Sequence, residues 1–233
     1  MIPGIEIETG ADAVWVRSPA PLRVLSSALV GGGLGAARHI LNLHVPKGYD
    51  CVRPADDLVE FARRAGVHEP FVGLMTAART HEAVTLSEVG DGIGVTVVAT
   101  VGLGGAVAAG LSGLARWRAS TINLIAVLDA RLEPAAAANG IATVTEAKVG
   151  ALLQAGIRTT DGLPATGTLT DAVVIAWTNR GTALAYLGPA AAGGWLLARA
   201  VRRAMATALA RRRGSEPGEM APGAETGLAD AAP

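Results

Sequence analysis

Cysteine is nearly absent: Cys51 is the one thiol among 233 residues. No internal disulfide can form, and nothing here calls for an oxidising compartment. Excess charge of either sign is also missing. Twenty Lys and Arg balance twenty Asp and Glu, for a formal net charge of zero, which removes the electrostatic footprint of a nucleic-acid binder. The basic runs present, Arg202–Arg203 and Arg211–Arg213, lie near the C-terminus and read as a solvated helix end. A secretory leader is not recognisable either. MIPGIEIETG carries acidic residues where a signal peptide needs a basic start and an apolar block, so a cytoplasmic location is the expectation.

What is abundant is apolar side chain, 50% of the chain. That suffices for one substantial core, and the length favours one domain over two. Two uncharged runs approach the length of a bilayer span, residues 93–115 and 181–198. Their composition speaks against membrane insertion. Val and Thr crowd the first half of one run and Gly the second, as in a buried strand leading into a Gly-rich loop and short helix, and Pro189 and a Gly pair interrupt the other.

Short β-prone stretches at 5–8, 13–16 and 22–27, each bounded by Gly, Pro or Ser, predict an opening meander. RHILNLHV (38–45) predicts a strand. The spacing of Leu58, Phe61, Ala62 and Ala65 after Pro54 predicts a short amphipathic helix ending at Gly66. FVGLMTA, IGVTVVAT, TINLIAVLDA and DAVVIAW predict four more strands, apolar on both faces and therefore covered on both. Helices are expected over 134–155 and 190–212. The fold expected is mixed α/β: a single layered domain over 1–212 with a largely buried mixed sheet covered by helices, followed by a disordered tail over 213–233.

GLPATGTLTD, residues 162–171, stands between the Ala-rich helix and the last apolar run. Gly162, Pro164 and Gly167 mark turns, while Thr166, Thr168, Thr170 and Asp171 bring hydrogen-bonding side chains. Two readings stay open, a turn that satisfies its own backbone or a ligand loop. Strand alternation puts Thr121, Asn123, Ile125 and Val127 on one face. Asn123 is then a buried amide that either ties backbone segments together or offers a donor to a substrate carbonyl. Glu146 and Lys148, two positions apart on a helix, point nearly opposite ways, and Glu146 is either a general base or a plain surface charge. In RHILNLHV, alternation predicts Arg38, Asn42 and His44 on one face and His39 on the other. The two histidines lack a third ligand at metal spacing and diverge, so no metal site is expected. Cys51 reads as filling rather than nucleophile. LVGGGLGAARH has neither a phosphate-loop ending nor a dinucleotide fingerprint, so its glycines are expected to permit close backbone approach.

Taken in order, RHILNLHVPKGYDC, GLMTAA, TINLIAVLDARLEPAA, TVTEAK and GLPATGTLTDAVVIAW resemble the adenosylcobinamide amidohydrolase family of corrinoid salvage, from about Leu25 to Ala200. That family cleaves the amide between a propionate side chain of the corrin ring and its aminopropanol arm, giving adenosylcobyric acid, which re-enters cobamide (vitamin B12) biosynthesis. The resemblance implies that Arg38, His39, Asn42, Lys47, Asn123, Glu146, Lys148, Thr166, Thr168, Thr170 and Asp171 occupy the family's characteristic positions, without assigning roles. Amide hydrolysis needs a base or nucleophile, an acid for the leaving amine and donors for the oxyanion. On that chemistry Glu146 or Asp171 is expected to activate water or a threonine hydroxyl, with Asn123 and loop N–H groups holding the oxyanion. Lys148 or His39 would assist the amine, and Thr168 or Thr121 is the covalent nucleophile of an alternative route. Arg38, Asn42, Lys47, Thr166 and Thr170 are expected to bind substrate.

This reading requires no metal or cofactor of the protein's own, because cobalt arrives within the substrate. The expected partner is a corrinoid small molecule, with no nucleic acid and no membrane insertion, and a homo-oligomer is left open. Three positions depart from the family's pattern. Pro189 and Ala190 follow Tyr186-Leu187-Gly188 where the family places a His-Thr pair, Gly105 replaces a polar residue, and Leu169 a glycine. The alternatives they raise are a corrinoid-binding protein without hydrolytic activity, or a hydrolase of another amide.

Overall fold

The structure, a computed structural model, describes residues 1–114 and 121–215. The chain opens with strands β1 (Glu6–Thr9), β2 (Ala13–Ser26) and β3 (Gly33–His44), helix α1 (Pro54–Arg64) and strand β4 (Val72–Thr76). Strands β5 (Val84–Gly90), β6 (Ile93–Val101), β7 (Ala106–Val107), β8 (Ile122–Asp129) and β9 (Arg131–Leu132) follow. Helix α2 (Pro134–Gln154), strands β10 (Gly167–Thr168), β11 (Ala172–Trp177) and β12 (Ala183–Leu184), and helix α3 (Ala192–Ser215) complete the series. The main sheet has the order β4-β3-β2-β11-β8-β6-β5, with β1 also on β2. Pairs β3–β4 and β8–β11 are parallel and the remaining pairs of this sheet antiparallel, so the mixed α/β layered fold expected from the sequence is the one observed.

The two strands expected at 13–16 and 22–27 are one strand with a bend. Its pairing with β3 shifts register between Arg17 and Leu22, across Ser18-Pro19-Ala20-Pro21. Two prolines remove two ladder donors, which confines them to a bulge or an edge. On its other side β2 pairs with β1 before the bend and with β11 after it. It therefore serves as a corner between two leaves of the sheet, as strands do in orthogonally packed sheets.

The leaves close on a shared core in which Val14, Val16, Ile40 and Leu74 cluster with Val98, Ile125, Val127 and Val174. The outer face of the first leaf packs Trp15, Leu41 and Leu43 against Leu58 and Ala62 of α1. The outer face of the second packs Val97, Leu124, Leu128, Ile175 and Trp177 against α2 and α3. Central strands are thus covered on both sides, which explains their continuous apolar runs. Gly31 (φ +67°) allows a close backbone approach, since a Cβ there would collide with the carbonyl oxygen of Phe71.

Inside the closed sheet a polar tie links the leaves. Asn42 of β3 donates to Thr100 Oγ1 of β6 at 2.9 Å. Asn123 of β8 donates to Asn42 Oδ1 and to the Met75 carbonyl, each at 2.8 Å.

Strand β5 was not foreseen, and residues 102–114 hold turns and β7 rather than a short helix. Among the described residues no helix is long and apolar enough to cross a membrane. The tail expected from residue 213 lies, from 216 onward, outside the described residues, and α3 runs to Ser215.

Asn42→Ala should strand Thr100 and one hydrogen of Asn123 inside the sheet. At about 1–3 kcal/mol per buried unpaired group, urea unfolding should show a loss of about 2 kcal/mol or more. A loss near zero would contradict the tie.

Candidate active site

The closed sheet leaves a cavity of about 490 Å³ where the C-terminal ends of β3 and β4 meet the N-terminal ends of β8 and β11. Val45, Leu74, Met75, Leu29 and Pro54 supply apolar lining, and Ser27, Tyr49, Asp50, Cys51, Thr76, Thr121, Asn123, Thr170 and Asp171 the polar groups.

Asp171 enters β11 with its carboxylate held on three sides. Oδ1 accepts the Ile122 amide at 3.0 Å and the Thr168 hydroxyl, and Oδ2 accepts the Lys148 ammonium. The side chains of Lys148 and Asp171 are 9% and 13% exposed, so water screens the pair little. Gly167 makes the pair possible, because a Cβ there would strike both Asp171 Oδ2 and Lys148 Nζ. This answers the two readings of GLPATGTLTD: the segment does satisfy its own polar groups, and in doing so aims Asp171 at a cavity.

Beside it, the Thr121 hydroxyl lies 2.7 Å from the Thr170 carbonyl and 3.1 Å from Asn123 Oδ1. Asn123 gives both amide hydrogens to protein acceptors, so in this arrangement it braces the wall and has no donor left for an oxyanion. On the loop after β3, the Tyr49 hydroxyl donates to Asp57 Oδ2 at 2.6 Å. Burial, then the Asp57 carboxylate and the Cys51 thiol, push the phenol well above its usual pKa, so it stays a neutral donor.

The remaining expected residues lie elsewhere. Glu146 is exposed on α2 and does not line the cavity. His39 and Arg38 turn together toward Glu69, at 3.0 and 3.8 Å, while His39 Nδ1 is buried without a hydrogen-bond partner among the described residues. Arg38 falls at the register shift opposite the bend of β2, where strict alternation fails, so it does not share a face with Asn42. Asn42 is the buried tie. Lys47 lines a neighbouring groove of about 200 Å³ with Arg79, Glu82, Arg211 and Arg212. Thr166 accepts the Ala109 amide at 2.9 Å and pins that loop. His44 Nδ1 faces the Ala78 carbonyl at 2.9 Å; a carbonyl only accepts, so that nitrogen carries the proton.

Among the described residues no group of three or more His, Cys, Asp or Glu side chains converges as metal ligands would. Ser27, Thr76, Tyr49 and Asp50 are not among the expected site residues, and Cys51, read as filling, lines the cavity. Thr76 stands within GLMTAA and Ser27 outside any motif, and only the folding of the sheet makes them neighbours of Asp171.

Removing one member of a buried ion pair strands the other, at about 3–5 kcal/mol. Lys148→Met is therefore expected to cost about 3 kcal/mol in urea unfolding. A cost under about 1 kcal/mol would mean that the pair is solvated after all.

The sequence model of the adenosylcobinamide amidohydrolase family matches residues 1–217. An adenosylcobinamide amidohydrolase of Methanosarcina mazei is 31% identical over 150 residues, 64% of this chain and 66% of that protein. An uncharacterized protein of Methanocaldococcus jannaschii is 37% identical over 94 residues, 40% of this chain and 36% of that one. The matches thus span just under two thirds and about a third of those curated relatives' lengths. A crystal structure of a Pyrococcus horikoshii protein aligns with 90% of this chain and 79% of its own, at a TM-score of 0.46 and 12% identity. With a family match that runs from the first residue through the last helix, the chain belongs to the adenosylcobinamide amidohydrolase family.

Proposed function

We propose that the protein hydrolyses the aminopropanol amide of adenosylcobinamide to adenosylcobyric acid in corrinoid salvage, and that the reaction takes place at Asp171. The observation that carries this reading is the position of that carboxylate, oriented by three donors on the wall of a largely apolar cavity. Pockets of roughly 300–1,000 Å³ suit drug-sized ligands. A corrin with its upper ligand is larger than this cavity, so the arm enters while the ring stays at the mouth.

In the proposed reaction Asp171 takes a proton from water as its oxygen attacks the amide carbon. Collapse of the tetrahedral intermediate breaks the C–N bond, and the same proton passes from Asp171 to the departing nitrogen. The products are a propionate carboxyl on the corrin and aminopropanol. The Lys148 ammonium keeps the carboxylate in one rotamer and balances its charge. Of the two carboxylates weighed for the base, only Asp171 reaches the cavity; of the two candidates for assisting the amine, Lys148 stands beside it and His39 does not.

The reading as a binder without activity drew on the missing His-Thr pair. That segment packs along α2, where Asn139 accepts the Leu187 amide at 3.2 Å and Thr143 donates to the Leu187 carbonyl at 2.6 Å, and neither Pro189 nor Ala190 lines the cavity. Pro189 and Ala190 therefore take no group away from this cavity.

Purified protein mixed with adenosylcobinamide should release aminopropanol. Asp171→Asn should lower kcat by about 10²–10⁴-fold, while Glu146→Gln and His39→Gln should stay within about twofold, as substitutions away from a site do. A corrin absorbance shift without product would support the binder, and full activity in Asp171→Asn would remove the carboxylate mechanism.

A further inference from the structure

The polar groups of the cavity wall divide by whether their hydrogens are already committed. Asn123 gives away both of its amide hydrogens, Thr121 faces the Thr170 carbonyl, Tyr49 donates to Asp57, and Asp171 only accepts. Two hydroxyls differ. Ser27 Oγ accepts the Val173 amide at 3.0 Å, and Thr76 Oγ1 accepts the Ala78 amide at 3.0 Å. Each uses its oxygen as an acceptor, and among the described residues no acceptor stands against either hydroxyl hydrogen. A hydroxyl has one donor to give, and an amide donating into its oxygen both fixes that oxygen and strengthens the O–H as a donor.

Their settings differ in a way that suggests a division of labour. Ser27 is exposed at the end of β2, anchored to β11 two residues beyond Asp171. Thr76 is 1% exposed at the end of β4, beside the Met75 carbonyl that receives Asn123. A buried donor without an acceptor is unfavourable, and the open side of Thr76 is the cavity.

We infer that Ser27 and Thr76 are the substrate-contacting donors of this site, and that they make it selective for an arm with two oxygen acceptors, one at the amide and one farther along the arm. The inference rests on the amide-hydrolase reading above and deepens it. An N-(2-hydroxypropyl) amide has two such acceptors, the amide carbonyl and the secondary hydroxyl on the second carbon of the arm. Ser27, tied to the strand that carries the base, holds the carbonyl oxygen and the oxyanion that replaces it as water attacks. Thr76, on the floor, holds the hydroxyl. The role first given to the Asn123 amide thus passes to Ser27.

The test compares Ser27→Ala, Thr76→Val and Thr76→Ser with the unaltered chain, following both hydrolysis of adenosylcobinamide and its binding by corrin absorbance. Loss of an oxyanion donor lowers kcat about 10²–10³-fold, so Ser27→Ala should lose kcat by about that factor with Kd nearly unchanged. Thr76→Val should weaken Kd about tenfold, the factor of one neutral hydrogen bond, and Thr76→Ser should restore it. A structural role alone would shift unfolding midpoints without this split between kcat and Kd. Unaltered kcat in Ser27→Ala together with unaltered Kd in Thr76→Val would overturn the inference. Should Thr76→Val fail to fold, Ser27→Ala alone decides. If the unaltered chain binds the corrinoid without turnover, the hydrolase reading fails while the Kd of Thr76→Val still judges the contact. If it does neither, both fall.

Discussion

Pro19 and Pro21 sit in the middle of a 14-residue strand and deny it two ladder hydrogen bonds, so β2 turns a corner. Everything distinctive about the protein follows from that bend. Without it, β3 and β4 would extend a flat sheet away from β8, and their C-terminal ends would never meet Thr121, Asn123 and Asp171. With it, one sheet supplies both walls of a core and, at its open end, both walls of a cavity. The usual place for a ligand in an open α/β sheet is the carboxyl end of the parallel strands. Here the corner brings the carboxyl ends of the parallel pair β3–β4 against the amino ends of the parallel pair β8–β11, and the cavity lies between them.

Closing a sheet over polar side chains obliges each of them to find a partner. The Asn42, Thr100 and Asn123 side chains answer that demand by bonding across the two leaves, and Asn123 also meets the Met75 carbonyl. Lys148 answers it from the helix side by meeting Asp171 through the gap left at Gly167. The site is thus an outgrowth of the same requirement that stabilises the fold. Its carboxylate is oriented by structural bonds, and the hydroxyls of Ser27 and Thr76, with no acceptor among the described residues, line the same cavity.

Much of the secondary structure was legible in the sequence, since runs such as TINLIAVLDA and DAVVIAW announce strands covered on both faces. The bend was not: Pro19 and Pro21 read as an interruption between two strands, when they kink one. Strand β5 escaped notice because VTLSEVG is polar on one face and short on bulky residues. At the site, GLMTAA, TINLIAVLDA and GLPATGTLTD, segments that carry the family resemblance, border the cavity, yet which side chains reach it depends on direction. Glu146 and Lys148 point apart on α2, and which of them faces the sheet is set by packing, not spacing. Thr168 and Asp171, three positions apart in one turn, are joined by a hydrogen bond. Ser27 belongs to no motif, Thr76 lies within GLMTAA with no sign of a role, and the two are far apart in sequence, so only the folding of the sheet brings them to one cavity.

The proposed function puts cleavage of the substrate arm in the cavity between β4 and β11. A crystal structure of the Asp171→Asn protein soaked with adenosylcobinamide tests it most directly. The arm's amide is expected within hydrogen-bonding distance of the substituted side chain, with the corrin ring at the cavity mouth. An arm bound instead beyond the far end of β8, near Asp129 and Arg180, would contradict it.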